Sequence, residues 1–209
     1  MSLFLGKIHF WLYNKILWAE KTEREIIQWA QNNELPVEQW VQQVIEQYGQ
    51  PTGNQALEEI IDKSNIHGWL QERIQSAELR QAALITNILV QNEKYIVDLI
   101  EIFKTQGQAA ALEYTEKPNN PEGMFNAMND FILEGMPCDR SNEIISSNDN
   151  QITWKTSTCL HEPYWTQVKG NIKNFYDLRD AWVTSFIEEL NPEFSYNKIE
   201  NGKCSITRG

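Results

Sequence analysis

Two segments near the C-terminus look like β-hairpins, while everything upstream of them reads as helices. That division constrains the fold more than any other feature. Residues 141–147 and 151–158 are rich in β-branched side chains and flank Asn148-Asp149-Asn150, residues that tolerate left-handed backbone and bond their own turn. Residues 194–200 lead into Asn201-Gly202, the strongest short signal for a two-residue hairpin turn, and residues 203–207 follow. Between the two hairpins, residues 171–190 read as a helix. Ile172, Phe175, Tyr176, Arg179, Trp182, Val183, Phe186 and Leu190 lie near one stripe of it, and Pro192 stops it. The order β-β-α-β-β predicts a small antiparallel sheet with the helix laid across one face.

The same region holds all three cysteines. Pairing Ser147 with Gln151 sets Cys138 opposite Leu160, one position from Cys159, so the two thiols are expected on adjacent antiparallel strands or their immediate extensions. Whether Cys204 joins them depends on strand order, which periodicity does not fix.

Upstream, residues 4–32 carry Leu5, Ile8, Trp11, Leu12, Ile16, Ile26, Ile27 and Ala30 at helical spacings, and Asn32-Asn33 ends that helix. Pro36 opens a second helix over 37–48, a loop follows at 49–53, and a short helix is expected from Asn54 to Ile61. A long helical region begins after Asn65 and reaches about Lys104, with Gln91-Asn92 as its break. Gly107 is expected to separate it from an alanine-rich helix over 108–114. Residues 115–120 form a polar linker, and Asn120 caps a last helix with Pro121 at its first position and Gly135 just past its end. The chain thus reads as α+β: a mainly helical layer over 1–135, then a small α+β module over 136–209, the two expected to pack as one compact unit.

Charge narrows the partners. Formal net charge is −11, with 19 acidic against 10 basic residues in 1–135, and 10 against 8 in 136–209. An acidic chain with no basic stripe lacks the counterion-releasing surface of a nucleic-acid binder, and anionic membranes are disfavoured on the same ground. Three cysteines make an odd set in a chain too large to need stapling, which points to free thiols and a cytoplasmic location. The apolar start is interrupted by Lys7 and Lys15 and lacks a small-residue cleavage site, and no segment has the length of a membrane span.

Candidate chemistry centres on Cys159-Leu160-His161. If both ends lie on one strand they share a face, and His161 (or His9) is then placed to take the Cys159 proton. The plainer reading is a buried apolar thiol. A third is a Cys₃His zinc shell of Cys138, Cys159, His161 and Cys204, although none of the usual paired spacings is present and no other cofactor is implied. Trp154, Tyr164, Trp165 and Trp182 cluster around the hairpin–helix module and are candidates to line a ligand pocket, against the default of core packing. Arg179, if buried, needs an anionic partner, which makes it a candidate for binding a carboxylate.

Two stretches resemble the L-2-amino-thiazoline-4-carboxylic acid hydrolase-like proteins. The closing run Asn201-Gly202-Lys203-Cys204-Ser205-Ile206-Thr207 is similar to that family's last cysteine-bearing strand. Cys159, followed by an aromatic-bearing loop and the helix with Arg179, is the second likeness. The resemblance covers about the last third of the chain, and the helices before it match no pattern. It implies hydrolytic opening of a small cyclic C–N substrate, with Cys159 and Cys204 as the positions carried over. Three functions follow: a hydrolase or binder of a small organic acid with Cys159, His161 and Arg179 in its site; a non-enzymatic ligand or metal sensor; and an interaction protein whose helices pack on a partner or on a second copy.

Overall fold

In the computed structural model, residues 5–53, 55–139, 141–199 and 202–209 are described. Helix α1 (Lys7–Asn32) is followed by α2 (Val37–Tyr48), the short α3 (Leu57–Ile60) and α4 (Ile66–Gln91). Apolar residues of α1 (Leu12, Ile16, Ile26, Ala30) and α4 (Leu70, Ile74, Leu84, Ile85, Ile88) are buried, and α2 packs on both helices. Asn65 caps α4 by accepting the Gly68 N–H. The break at Gln91-Asn92 is where expected: a 3₁₀ turn, Glu93–Tyr95, leads into α5 (Ile96–Ala111). Of the expected short helix after residue 53, Asn54 lies outside the described residues, and the helix itself starts at Leu57.

Gly107 does not end a helix. It lies inside α5, where a Cβ would sit 2.3 Å from the Trp182 carbonyl oxygen on α8 (Ile172–Leu190). The glycine is there for backbone approach between two helices, not for a stop. Asn120 caps α6 (Pro121–Asn129) through the Gly123 N–H, as expected. Gly135 is not just past that helix: it lies six residues beyond Asn129, in a bend with φ +67°.

The sheet has the order β1-β2-β4-β3, all antiparallel, from β1 (Asn142–Ser147), β2 (Gln151–Thr156), β3 (Phe194–Lys198) and β4 (Lys203–Arg208). Asn142 faces Thr156, Glu143 faces Lys155 and Ile144 faces Trp154, in the expected register. Toward the turn the pairing shifts by one, so that Ser147 meets Ile152 instead of Gln151, because a bulge lies between Ile144 and Ser146. Asn148 Oδ1 accepts from the backbone N–H of Asn150 and Gln151, which closes that turn. In the second turn Asn201 lies outside the described residues, and Gly202 has φ +72°. The β-β-α-β-β order holds with one addition, α7 (Glu162–Gln167), where the sequence suggests a loop.

The chain divides into two units, Met1–Tyr95 with His161–Ile172, and Ile96–Leu160 with Lys173–Gly209. The boundary expected at 135 therefore falls inside the second unit. In the first unit α7 returns to α4, and Gly170 is needed there, since a Cβ would lie 2.5 Å from Thr86 Oγ1 and 2.8 Å from the Trp165 ring. In the second unit α6 packs against β2 and β4, with Phe125 4.9 Å from Trp154 between ring centres. The sheet's other face carries the polar residues Thr153, Lys155, Asn197 and Thr207 around Ser205, which is buried on the central strand β4.

Candidate functional site

Strand order decides what surrounds Cys204. β4 runs between β2 and β3, so Cys204 faces Trp154 on one side and Lys198 on the other, and Tyr196 stands one pleat away on β3. The Tyr196 hydroxyl lies 2.9 Å from Asp180 Oδ1 on α8 and 3.2 Å from Cys204 Sγ. A phenol owns one hydrogen. Given to the carboxylate, which is the stronger acceptor, it leaves the phenol oxygen free to accept from the thiol. The result is a chain from Cys204 S–H to Tyr196 to Asp180, and Lys198 pairs with the other oxygen of Asp180. Burial pushes the Tyr196 hydroxyl well above its ordinary range, with the Asp180 charge adding to it. Burial likewise raises the Cys204 thiol, and Asp180 adds to that, against the Tyr196 hydrogen bond and the charges of Arg179 and Lys198. Both groups rest protonated at neutral pH, so this thiol needs a base to react.

One position before Asp180, Arg179 pairs with Glu134. Glu134 Oε2 also accepts from Ser141 Oγ at 2.9 Å and Asn142 Nδ2 at 3.3 Å, and Asn142 Oδ1 takes the Thr156 hydroxyl at 2.9 Å. The anionic partner that a part-buried Arg179 requires is therefore within the protein. Its guanidinium also lies 5.7 Å from the Phe175 ring centre.

The other predicted site residues are distributed as follows. β2 ends at Thr156, so Cys159 and His161 are not on one strand: Cys159 lies in the connection, and His161 is the residue from which α7 starts. Cys159 belongs to the second unit and His161 to the first, where its buried ring faces Glu78, with Nδ1 3.0 Å from Oε1. Cys138 is exposed in the 3₁₀ turn Pro137–Asp139. It and Cys159 flank the open end of the first hairpin, which the Ser157 N–H extends by bonding to the Ser141 carbonyl. Trp154, Trp165 and Trp182 are all buried. Trp182 stacks on Phe186 at 5.0 Å, whereas Trp165 belongs to the first unit. Among the described residues no three His, Cys, Asp or Glu side chains form a group able to hold a metal, so the proposed zinc shell of Cys138, Cys159, His161 and Cys204 is not assembled. The reason lies in the sheet: Cys204 is committed to the face shared with Trp154 and Tyr196.

Tyr196, Asp180, Lys198 and Glu134 were not legible as site residues. A period-two reading of β3 puts Tyr196 and Lys198 on one face, but only the β4–β3 pairing sets that face beside Cys204. No family model, no curated protein and no solved structure matches this chain. What the geometry defines is an α+β protein in which no described helix is long and apolar enough to cross a membrane.

Proposed function

We propose that the second unit binds a small organic acid beside Cys204 and opens a cyclic C–N bond in it by attack of that thiol. The observation that carries this reading is the Cys204–Tyr196–Asp180 hydrogen-bonded chain. A protonated thiol with a route to a carboxylate is the arrangement a base-assisted nucleophile needs. The Sγ–C bond forms at a carbonyl-level carbon of the ring as the C–N bond breaks. The sulfur proton passes through Tyr196 to Asp180 and on to the departing nitrogen, and water then cleaves the thioester, giving the acid and restoring the thiol. Lys198, the more exposed of the two cations whose charges act on Cys204, attracts the substrate carboxylate, while Arg179 stays paired with Glu134. The likeness of residues 201–207 to the thiazoline-carboxylate hydrolase-like proteins supports the same position. Cys138, Cys159 and Cys204 stand as thiols and not as disulfides, which fits a reducing cytoplasm.

Alkylation tests this with two reagents that differ in charge. Iodoacetate, itself a small organic acid, is expected to label Cys204 faster than neutral iodoacetamide does, reversing the order shown by an ordinary thiol. Tyr196→Phe should slow both reagents at Cys204, because it removes the hydroxyl whose hydrogen bond favours the thiolate. The rate should still be climbing above the roughly 8.5 at which a free thiol levels off, since the folded thiol is raised. If Cys204 shows no preference for the anion while Cys159 does, the reacting thiol has been misassigned.

A further inference from the structure

The first unit holds a second set of ionisable groups, which the proposed site does not use. Arg80 on α4 is 0% exposed, Glu20 and Glu23 on α1 are 2% and 4% exposed, and the three meet in the core. Arg80 Nε lies 3.0 and 3.2 Å from the two oxygens of Glu23, and Nη2 lies 3.2 Å from Glu20 Oε1. Nη1 donates to Ser76 Oγ at 2.6 Å and to the Gly49 carbonyl at 3.2 Å. The loop 49–53 is fastened at both ends by this cluster, because Thr52 gives its N–H to Glu20 Oε1 at 2.8 Å and its hydroxyl to Oε2 at 2.6 Å.

The two carboxylates are not equivalent. Glu20 accepts three hydrogen bonds spread over both oxygens. Glu23 receives only the Arg80 Nε–H among the described residues. One guanidinium balances one carboxylate, and a second buried negative charge is costly. We propose that Arg80, Glu20 and Glu23 form a proton-operated latch on the 49–53 loop, closed while Glu23 holds a proton and released when that proton is lost.

Burial, the largest influence, raises Glu23 above its ordinary value, with Glu20 adding to it, while Arg80 and Arg24 act in the opposite sense. Those are the charged groups that act on it: Arg80 from α4, and Glu20 and Arg24 from its own helix. The exposed Glu38 and Glu46 and the Tyr48 carbonyl come from α2, and the loop 49–53 has no ionisable side chain. A carboxyl raised on folding contributes stability that is complete below about 4.5 and is lost as pH rises through the folded value.

Amide hydrogen exchange of the whole protein tests the latch at Thr52. After correction for intrinsic exchange, protection there is expected to fall by up to about tenfold per pH unit above about 4.5, until the folded value is passed. Glu23→Gln, which mimics the protonated carboxyl, should keep the loop protected and abolish that slope, whereas Glu20→Gln should weaken Thr52 protection at every pH. Wild-type protection that is flat or rises with pH overturns the proposal, as does a Glu23→Gln protein that keeps the slope or fails to fold.

Discussion

Each unit contains a cluster built around a carboxylate and a cation, and the two differ in exposure. In the first unit Arg80, Glu20 and Glu23 are sealed between α1 and α4, where water cannot reach them. In the second, Asp180 and Lys198 are part-exposed beside a half-buried tyrosine and thiol. In the sealed cluster a lost partner leaves an uncompensated charge in low dielectric, so its energetics are large and bear on folding. In the open cluster solvent screens the pair, so its energetics are small and its groups remain available for chemistry.

The largest effect is expected at Arg80. Arg80→Met strands two buried carboxylates and releases the Gly49 carbonyl, and truncating one partner of such a pair costs about 3–5 kcal/mol. Denaturant melts should show the midpoint falling by an amount of that order. Adding Glu20→Gln and Glu23→Gln should recover part of the loss, because it removes the stranded charge. A midpoint that Arg80→Met leaves in place would mean that the cluster is wetter than its burial indicates, and the contrast between the units would collapse.

Next comes Trp182, which is apolar and so measures packing without charge. It is buried, stacks on Phe186 and lies 6.5 Å from the Phe131 ring centre, with α5 close behind at Gly107. Trp182→Ala should cost about 3–5 kcal/mol. Gly107→Ala should cost a good part of that, since the added methyl meets backbone, which cannot swing aside as a side chain can. If Gly107→Ala is silent, the helix contact at α5–α8 is looser than its geometry.

These residues also show what the sequence made legible. The stripe on α8 was readable because Trp182, Val183, Phe186 and Leu190 recur at helical spacing, and all four are buried. The two hairpins were readable because turn chemistry is local: Asn148 bonds its own loop, and Gly202 adopts the left-handed backbone a tight turn needs. Gly107 was misread because a glycine required for close approach and a glycine that ends a helix have the same letter and the same neighbours. α7 was missed because six residues are too few to display a period. The Cys204 cluster depends on β4 running between β2 and β3, a long-range pairing that no local pattern encodes. Arg80 drew no reading of its own, because nothing local tells a buried arginine from a solvated one.

The smallest expected effect is at Lys198, and it sharpens the comparison most. Lys198 is about half exposed, and its pair with Asp180 spans α8 and β3. Exposed pairs contribute well under the stability of a buried one, so Lys198→Ala should move the unfolding midpoint by less than about 1 kcal/mol. Its effect on chemistry should nonetheless be readable. The lysine charge is among the groups that hold the Cys204 thiol down, while Asp180 and burial push it up. Removing the lysine takes away a downward influence and leaves the Asp180 charge unbalanced beside Tyr196, so the thiol should titrate at higher pH. The alkylation profile of Cys204 should shift upward, and the preference for iodoacetate over iodoacetamide should shrink together with the lost cation. Asp180→Asn should move the profile the other way, because the charge that opposes thiolate formation is gone. An unshifted profile in both variants would mean that solvent screens this cluster so completely that its charges do not reach the sulfur, and Cys204 would then be a packing residue of the sheet.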